Sequence, residues 1–364
     1  MMTTIDISAL LGELPDSSDF AGPWVIYGAG NSGRAVAHYL TAKGIEVGAF
    51  LDAHASEGQS CAGIPVFRPD QWPAANAPAS YGCLVAIHNR AVFMPPLLEK
   101  LRQMGFRDVL TMFDFTNAFP DDQPFRFWLV GNRFYADQQS NVDALFSMLE
   151  DDGSRRWAEA ILRFRIRGDY GELPEPRSGD QYFPASLPRW QEPLRFVDCG
   201  AYDGDTLQAL LDAGYGVEAV AAFEPDLDNF KKLANRYPLL NVINYPCGVS
   251  SDARVVRFSA GAGEASRVTE DGDSIIQCVS LDEAIPAFAP NLIKMDIEGA
   301  EIDALNGAAQ LIGRFKPNLA ISLYHLPGHL WEIPLLIHGW GLGYRFYIRG
   351  HAHNSFDSVL YAVQ

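Results

Sequence analysis

The stretch Phe196-Val197-Asp198-Cys199-Gly200-Ala201-Tyr202-Asp203-Gly204-Asp205-Thr206 restricts the fold more than any other. Phe196 and Val197 lead in as a short apolar strand. From Thr206 to Ala213 the apolar side chains fall at 207, 210 and 211, a helical spacing. Between them, Gly200 and Gly204 open a turn in which backbone can come close to a ligand, because glycine lacks Cβ and tolerates positive φ. A strand, a glycine-rich turn and a helix N-terminus form the ligand-binding corner of a doubly wound α/β sheet. About twenty residues on, Val220–Phe223 reads as a second strand ending in Glu224, an acid placed to accept ribose hydroxyls.

The turn is not the dinucleotide form, which would bring a helix N-terminus onto a pyrophosphate. Its pattern is D-x-G-x-x-x-G, with Asp198, Asp203 and Asp205 around it. That surrounding suits a positively charged ligand without phosphates, such as S-adenosylmethionine. The expected donor-binding residues are Asp198, Gly200, Tyr202, Gly204, Thr206 and Glu224, with Glu298 further along.

A second unit of the same kind begins much earlier. Trp24–Tyr27 reads as a strand entering Gly28-Ala29-Gly30-Asn31-Ser32-Gly33, a helix follows, and a second strand ends at Asp52. This is the context that G-x-G-x-x-G requires. After an excursion through 63–72, Cys83–Ile87 reads as a strand ending in His88-Asn89-Arg90. A helix over 94–104 and a strand at 109–112 complete a small parallel sheet. The F-L-D at 50–52, G-I-P-V at 63–66 and A-I-x-N-R at 86–90 make this part similar to the N-terminal nucleotide-sugar-binding domain of bacterial sugar acyltransferases. That resemblance implies a nucleotide or nucleotide-sugar at Gly28, Gly30, Gly33 and Asp52. Oligomerisation, or service as a platform, is the alternative use.

The expected organisation is a Rossmann-like unit over 1–118, a helical connector over 119–180 and a third unit over 181–364. Helices are expected at 142–150 and 155–166. Tyr182 and Phe183, just before the donor corner, either cover the site or pack beneath the helices. The net charge of −17 argues against an extended nucleic-acid surface. Five cysteines without a C-x-x-C pair read as reduced thiols of a cytoplasmic protein. The N-terminus carries no secretion signal, and no apolar run reaches the roughly 20 residues that span a bilayer.

In the last unit, 241–245 reads as a third strand and Asn291–Met295 as part of a fourth. A fifth at Leu319–Leu323 ends in Tyr324-His325, and 344–348 with 358–363 read as an antiparallel pair at the sheet edge. The acid-rich segment 260–273 reads as a lid or specificity loop. Lys294, Asp296 and Glu298 alternate, so a continuous strand would point them to one side. Lys294 should be buried and need a carboxylate partner. Glu301 falls in the first turn of the next helix, where the helix dipole alone explains a carboxylate.

F-V-D-C-G-A-Y-D-G-D-T, F-E-P-D at 223–226, S-L-D-E at 280–283 and I-K-M-D-I-E-G-A-E at 293–301 resemble the FkbM family of S-adenosylmethionine-dependent methyltransferases. The resemblance covers about residues 180–364. It implies a class I methyltransferase sheet and methyl transfer to a hydroxyl oxygen, often on a sugar or polyketide. Cys199 and Tyr202 depart from the commoner family wording, while the glycines and acids are kept. The fold expected is therefore α/β, two Rossmann-like doubly wound domains, the second ending in the antiparallel pair.

On this reading His325 is the general base and Asp296 orients the hydroxyl or the imidazole. Asp296 and Glu298 offer oxygens that suit Mg²⁺, but with no further carboxylate in view the reading carries no metal. The expected acceptor is a small molecule or glycan. Two other readings compete: a binding protein that has lost turnover, and an NAD-dependent oxidoreductase built on Gly28–Gly33.

Overall fold

A computed structural model describes residues 5–12, 15–72, 77–120, 127–176, 179–259, 267–268, 272 and 274–364. The segment expected to form a lid falls largely outside the described residues. Among them, no helix is long and apolar enough to cross a membrane.

The first sheet contains β1 (Trp24–Tyr27), β2 (Val47–Leu51), β3 (Ile64–Phe67), β4 (Gly82–Val85) and β5 (Asp108–Thr111). Its order is β3-β2-β1-β4-β5, all parallel, with the two-residue strand Ser60–Cys61 antiparallel at the β3 edge. The segment read as an excursion thus supplies a strand: Ile64–Phe67 lies beside β2, with Val66 buried. Helix Asn31–Ala42 starts from the Gly28–Gly33 turn. A Cβ at Gly33 would lie 1.9 Å from the Gly28 carbonyl oxygen, so only glycine permits this helix to start so close to the strand.

The second sheet holds β6 (Leu194–Cys199), β7 (Val217–Phe223), β8 (Val242–Tyr245), β11 (Leu292–Met295), β12 (Asn318–Ser322), β13 (Arg345–Gly350) and β14 (Ser358–Val363). Its order is β13-β14-β12-β11-β6-β7-β8. All neighbours are parallel except the two pairings of β14, which are antiparallel, as the terminal pair predicts. β9 (Arg254–Ser259) and β10 (Ser274–Val279) pair antiparallel in a separate small sheet, where Gly248–Val249 joins β10 in parallel.

The segment between the sheets packs on the second one. Helix Asp152–Arg167 begins three residues before the expected start because the Asp151 carboxylate accepts from the Ser154 N–H, and it stops at Gly168 with φ of 71°. Its apolar face, with Trp157, Ile161 and Ile166, shares one core with Phe346 and Ile348 of β13. Helix Gln139–Met148 adds Val142 and Leu145 to that core. Ile5, Ile7 and Leu10 also lie there, tied by the Gln139 side chain, which accepts from Ile7 N–H and donates to the Ile5 carbonyl. Residues 5–10 therefore help to complete the core of the last sheet. A fragment that begins near residue 177 would expose it, so such a fragment is expected to aggregate.

Candidate active site

In an open parallel sheet, ligands collect at the carboxyl ends of the strands. A cavity of about 380 Å³ lies there, within the range of roughly 300–1,000 Å³ usual for small-molecule sites. Gly200, Tyr202, Thr206, Glu224, Asp296 and Glu298 line it; Asp198, Gly204 and His325 do not.

β6 delivers the turn. Gly200 has φ of 79° and Gly204 φ of 90°, both in the left-handed region. A Cβ at Gly200 would stand 2.1 Å from the Asp296 carbonyl oxygen. The turn and the end of β11 approach because that atom is missing. Gly200→Ala is expected to destabilise the protein by at least the roughly 1–3 kcal/mol of a strained backbone residue, with the clash added, read as a lowered Tm.

Glu224 ends β7. Its two oxygens accept from the backbone N–H groups of Tyr202 and Asp226, each at 2.8 Å. Burial pushes its pKa up to about 7 against those hydrogen bonds and the Lys294 charge. A carboxylate offers about four acceptor sites, so each oxygen keeps one for a ligand. The first unit uses the same device: Asp52, at the end of β2, accepts from Ala29 N–H at 3.0 Å. Gly28, Gly30, Gly33 and Asp52 thus come together at their own turn, outside the cavity.

Asp198, expected in the donor set, does not line the cavity. Its carboxylate is buried and faces the Lys294 ammonium at 3.1 Å. Lys294 also donates to the Gly200 carbonyl at 2.5 Å. This buried pair holds the turn against β11. Gly204 sets the start of helix Asp205–Asp212.

The alternation of Lys294, Asp296 and Glu298 also fails. β11 stops at Met295, and Glu298 and Gly299 take φ of 57° and 104°. The chain turns there, so Asp296 and Glu298 reach the cavity from a bend. Asp296 Oδ2 accepts from the Tyr182 hydroxyl at 2.8 Å and Oδ1 from the Tyr324 hydroxyl at 3.2 Å. Burial pushes its pKa up, but the His325 and Lys294 charges and the Tyr182 hydroxyl outweigh that and hold it below the ordinary value. Burial first, then the Asp296 charge, drives the Tyr182 phenol well above its ordinary pKa, so it stays a donor.

His325 is not placed as a free base. Its ring is buried behind Asp296, with Nε2 3.3 Å from Asp296 Oδ1 and Nδ1 2.7 Å from Glu301 Oε1. Burial alone would lower its pKa. The Glu301 charge and hydrogen bond, with Asp296 and Glu298 behind them, reverse this and raise it to about 9. At neutral pH it is an imidazolium without a lone pair to offer. Glu301 is the residue that reading by helix dipole missed: fully buried, it accepts from Ile297 N–H, bonds His325 and lies 3.3 Å from His329 Nδ1. Asp296, Glu301 and His325 bring possible ligand atoms within 4.8 Å of one another. Of these atoms, His325 Nδ1 and Glu301 Oε1 are hydrogen-bonded to each other.

A doubly wound sheet with a glycine turn, an acid closing the next strand and a carboxylate at the end of a neighbouring strand gathers a small-molecule site at its strand ends. Residues 198–346 match the family model described as the Methyltransferase FkbM domain, and the chain carries a domain of that family. It is 33% identical over 97 residues to the hexuronic acid methyltransferase AglP of Haloferax volcanii; the match spans 24% of this chain and 40% of that relative. The solved structure of methyltransferase FkbM from Methylobacillus flagellatus KT superposes with a TM-score of 0.76 at 25% identity, over 98% of this chain and 96% of the other.

Proposed function

We propose that this protein is an S-adenosylmethionine-dependent O-methyltransferase acting on a hydroxyl of a sugar or sugar-linked metabolite. One observation carries the reading: a single cavity joins the glycine turn and Glu224 to an ionised Asp296. The named relative that acts on a hexuronic acid supports the sugar.

The cavity suits the donor. Asp205, Glu224, Asp296 and Glu298 make its wall acidic, which favours a cation and disfavours a polyphosphate. The spare oxygen sites of Glu224 fit vicinal ribose hydroxyls. Val249, Phe258, Ile276 and Pro225 give an apolar end for a flat base. When bound, S-adenosylmethionine supplies a methyl on a sulfonium, which passes in line to oxygen as the C–S bond breaks and a C–O bond forms.

The chain's own work is orientation and proton handling. Asp296 accepts a hydrogen bond from the acceptor hydroxyl and aims its oxygen. The tyrosine hydroxyls fix the carboxylate plane. His325, held as an imidazolium, keeps Asp296 ionised. Such a carboxylate is a weak base toward a resting alcohol. It becomes competent as the oxygen gains the methyl and turns strongly acidic, and the proton then moves to Asp296.

Glu224→Ala is expected to weaken S-adenosylhomocysteine binding by roughly 1–3 kcal/mol, the cost of leaving buried ligand hydroxyls without their acceptor. Calorimetric titration checks it, and equal affinity in a folded variant would remove Glu224 from the donor site. The same titration with NAD separates the oxidoreductase reading. A radiolabelled methyl-transfer screen over nucleotide sugars and glycans tests the activity.

A further inference from the structure

The cavity has a wall that the donor does not need. His88, Asn89 and Arg90 line it from the loop after β4, so they come from the first sheet. Asp357 and Phe356 line it from the hairpin between β13 and β14. Phe127 lies between them, its ring 5.0 Å from Phe356 and 5.9 Å from Tyr324.

The hairpin is unusual in its cost. Asn354, Ser355 and Asp357 take φ of 57°, 63° and 48°, a left-handed conformation that costs on the order of 1–3 kcal/mol per residue and persists only where the surroundings fix it. They are fixed here. The Asn354 amide donates to the carbonyls of Asn89 and Val92 at 2.9 and 3.0 Å. His353 N–H donates to the Arg90 carbonyl at 3.1 Å. Arg90 Nη2 meets Asp357 Oδ2 at 2.5 Å. From below, Arg165 of helix Asp152–Arg167 donates from Nε to the Ser355 hydroxyl at 2.9 Å. The hairpin thus clamps the loop of the first sheet onto the mouth of the cavity, beside Tyr324 and Asp296.

We infer that the loop after β4 of the first α/β unit and the β13–β14 hairpin together form the acceptor-recognition wall: Arg90 holds hydroxyl or carboxylate oxygens and Asp357 accepts from hydroxyls of a sugar ring seated against Phe127 and Phe356, and Asn354 is a positioning residue that sets the wall. The chemistry fits. Planar polar groups match the donors and acceptors on a polyhydroxylated ring, and aromatic faces match its C–H side. The half-exposed Arg90 guanidinium presents a fork that pairs with oxygen acceptors. This rests on the reading of the site as a sugar O-methyltransferase.

The test uses the full chain loaded with S-adenosylhomocysteine and saturation-transfer NMR with four probes. These are the methyl glycosides of glucose, galactose, mannose and glucuronic acid. At least one should receive saturation from the wild type. Arg90→Ala should reduce that signal at least severalfold while S-adenosylhomocysteine affinity, read by calorimetry, stays within twofold. Asn354→Gly keeps the left-handed backbone but removes the amide, and should weaken the same signal with donor affinity again intact. A larger loss for glucuronic acid than for the neutral glycosides would assign Arg90 to a carboxylate; an equal loss would assign it to hydroxyls. Signal unchanged in both variants, or absent from every probe with the donor product bound, overturns the inference while leaving the methyltransferase reading standing. Absence of S-adenosylhomocysteine binding in the wild type would instead overturn both.

Discussion

Asp296→Asn is expected to lower kcat by ~10²–10⁴-fold, the range for a lost proton-transfer group, with S-adenosylhomocysteine affinity nearly unchanged. Asparagine keeps the shape, but its amide nitrogen can only donate, so one of the Tyr182, Tyr324 and His325 contacts loses its acceptor. More important, the carboxylate proposed to take the acceptor proton would be gone. The donor contacts proposed for Tyr202 and Glu224 follow the ends of β6 and β7, and neither residue bonds the Asp296 carboxylate. The effect should therefore fall on kcat and on acceptor KM, with the donor constant spared. Methyl transfer at the wild-type rate in this variant would leave the enzyme working by orientation alone.

The two turns were legible because their signals are local. A glycine between an apolar strand and a helical pattern specifies a backbone path, and Gly200 and Gly33 each stand where a Cβ would collide with a carbonyl oxygen. What was not legible depends on partners far apart in the chain. Asp198 reads as a ligand group until Lys294, about a hundred residues away, is seen against it. Glu301 reads as a surface acid in a helix's first turn. Only the fold brings it beneath His325 and His329, two histidines four residues apart in the sequence. The wall of Arg90 and Asp357 joins residues from two sheets and leaves no trace in periodicity or spacing. The helices before the second sheet were found, but not the first residues of the chain as part of the same core.

Glu301→Gln is expected to cost roughly 3–5 kcal/mol of stability, the range for removing one member of a buried ion pair, and the loss should depend on pH in a defined way. In the folded protein His325 is raised from 6.5 to about 9. Its ionisation therefore adds stability that is full below pH 6.5 and disappears as the pH rises through about 9. Glu301 runs the other way. Burial would raise its pKa, but the His325 charge and the hydrogen bonds of both histidines pull it below its ordinary 4.5, so its contribution is present above 4.5 and fades as the pH falls. The two slopes leave one window. Thermal or urea unfolding of wild type and variant should differ most between about pH 4.5 and 6.5, and the gap should narrow steadily toward pH 9. In the variant the His325 pKa should fall, because its first charge partner is gone, so with rising pH Asp296 loses one of the two cations that hold its pKa down, and the acidic limb of its kcat profile should move to higher pH. A gap in stability that stays constant from pH 5 to 9 would mean that Glu301 fills space without pairing, and the imidazolium behind Asp296 would have to be given up with it.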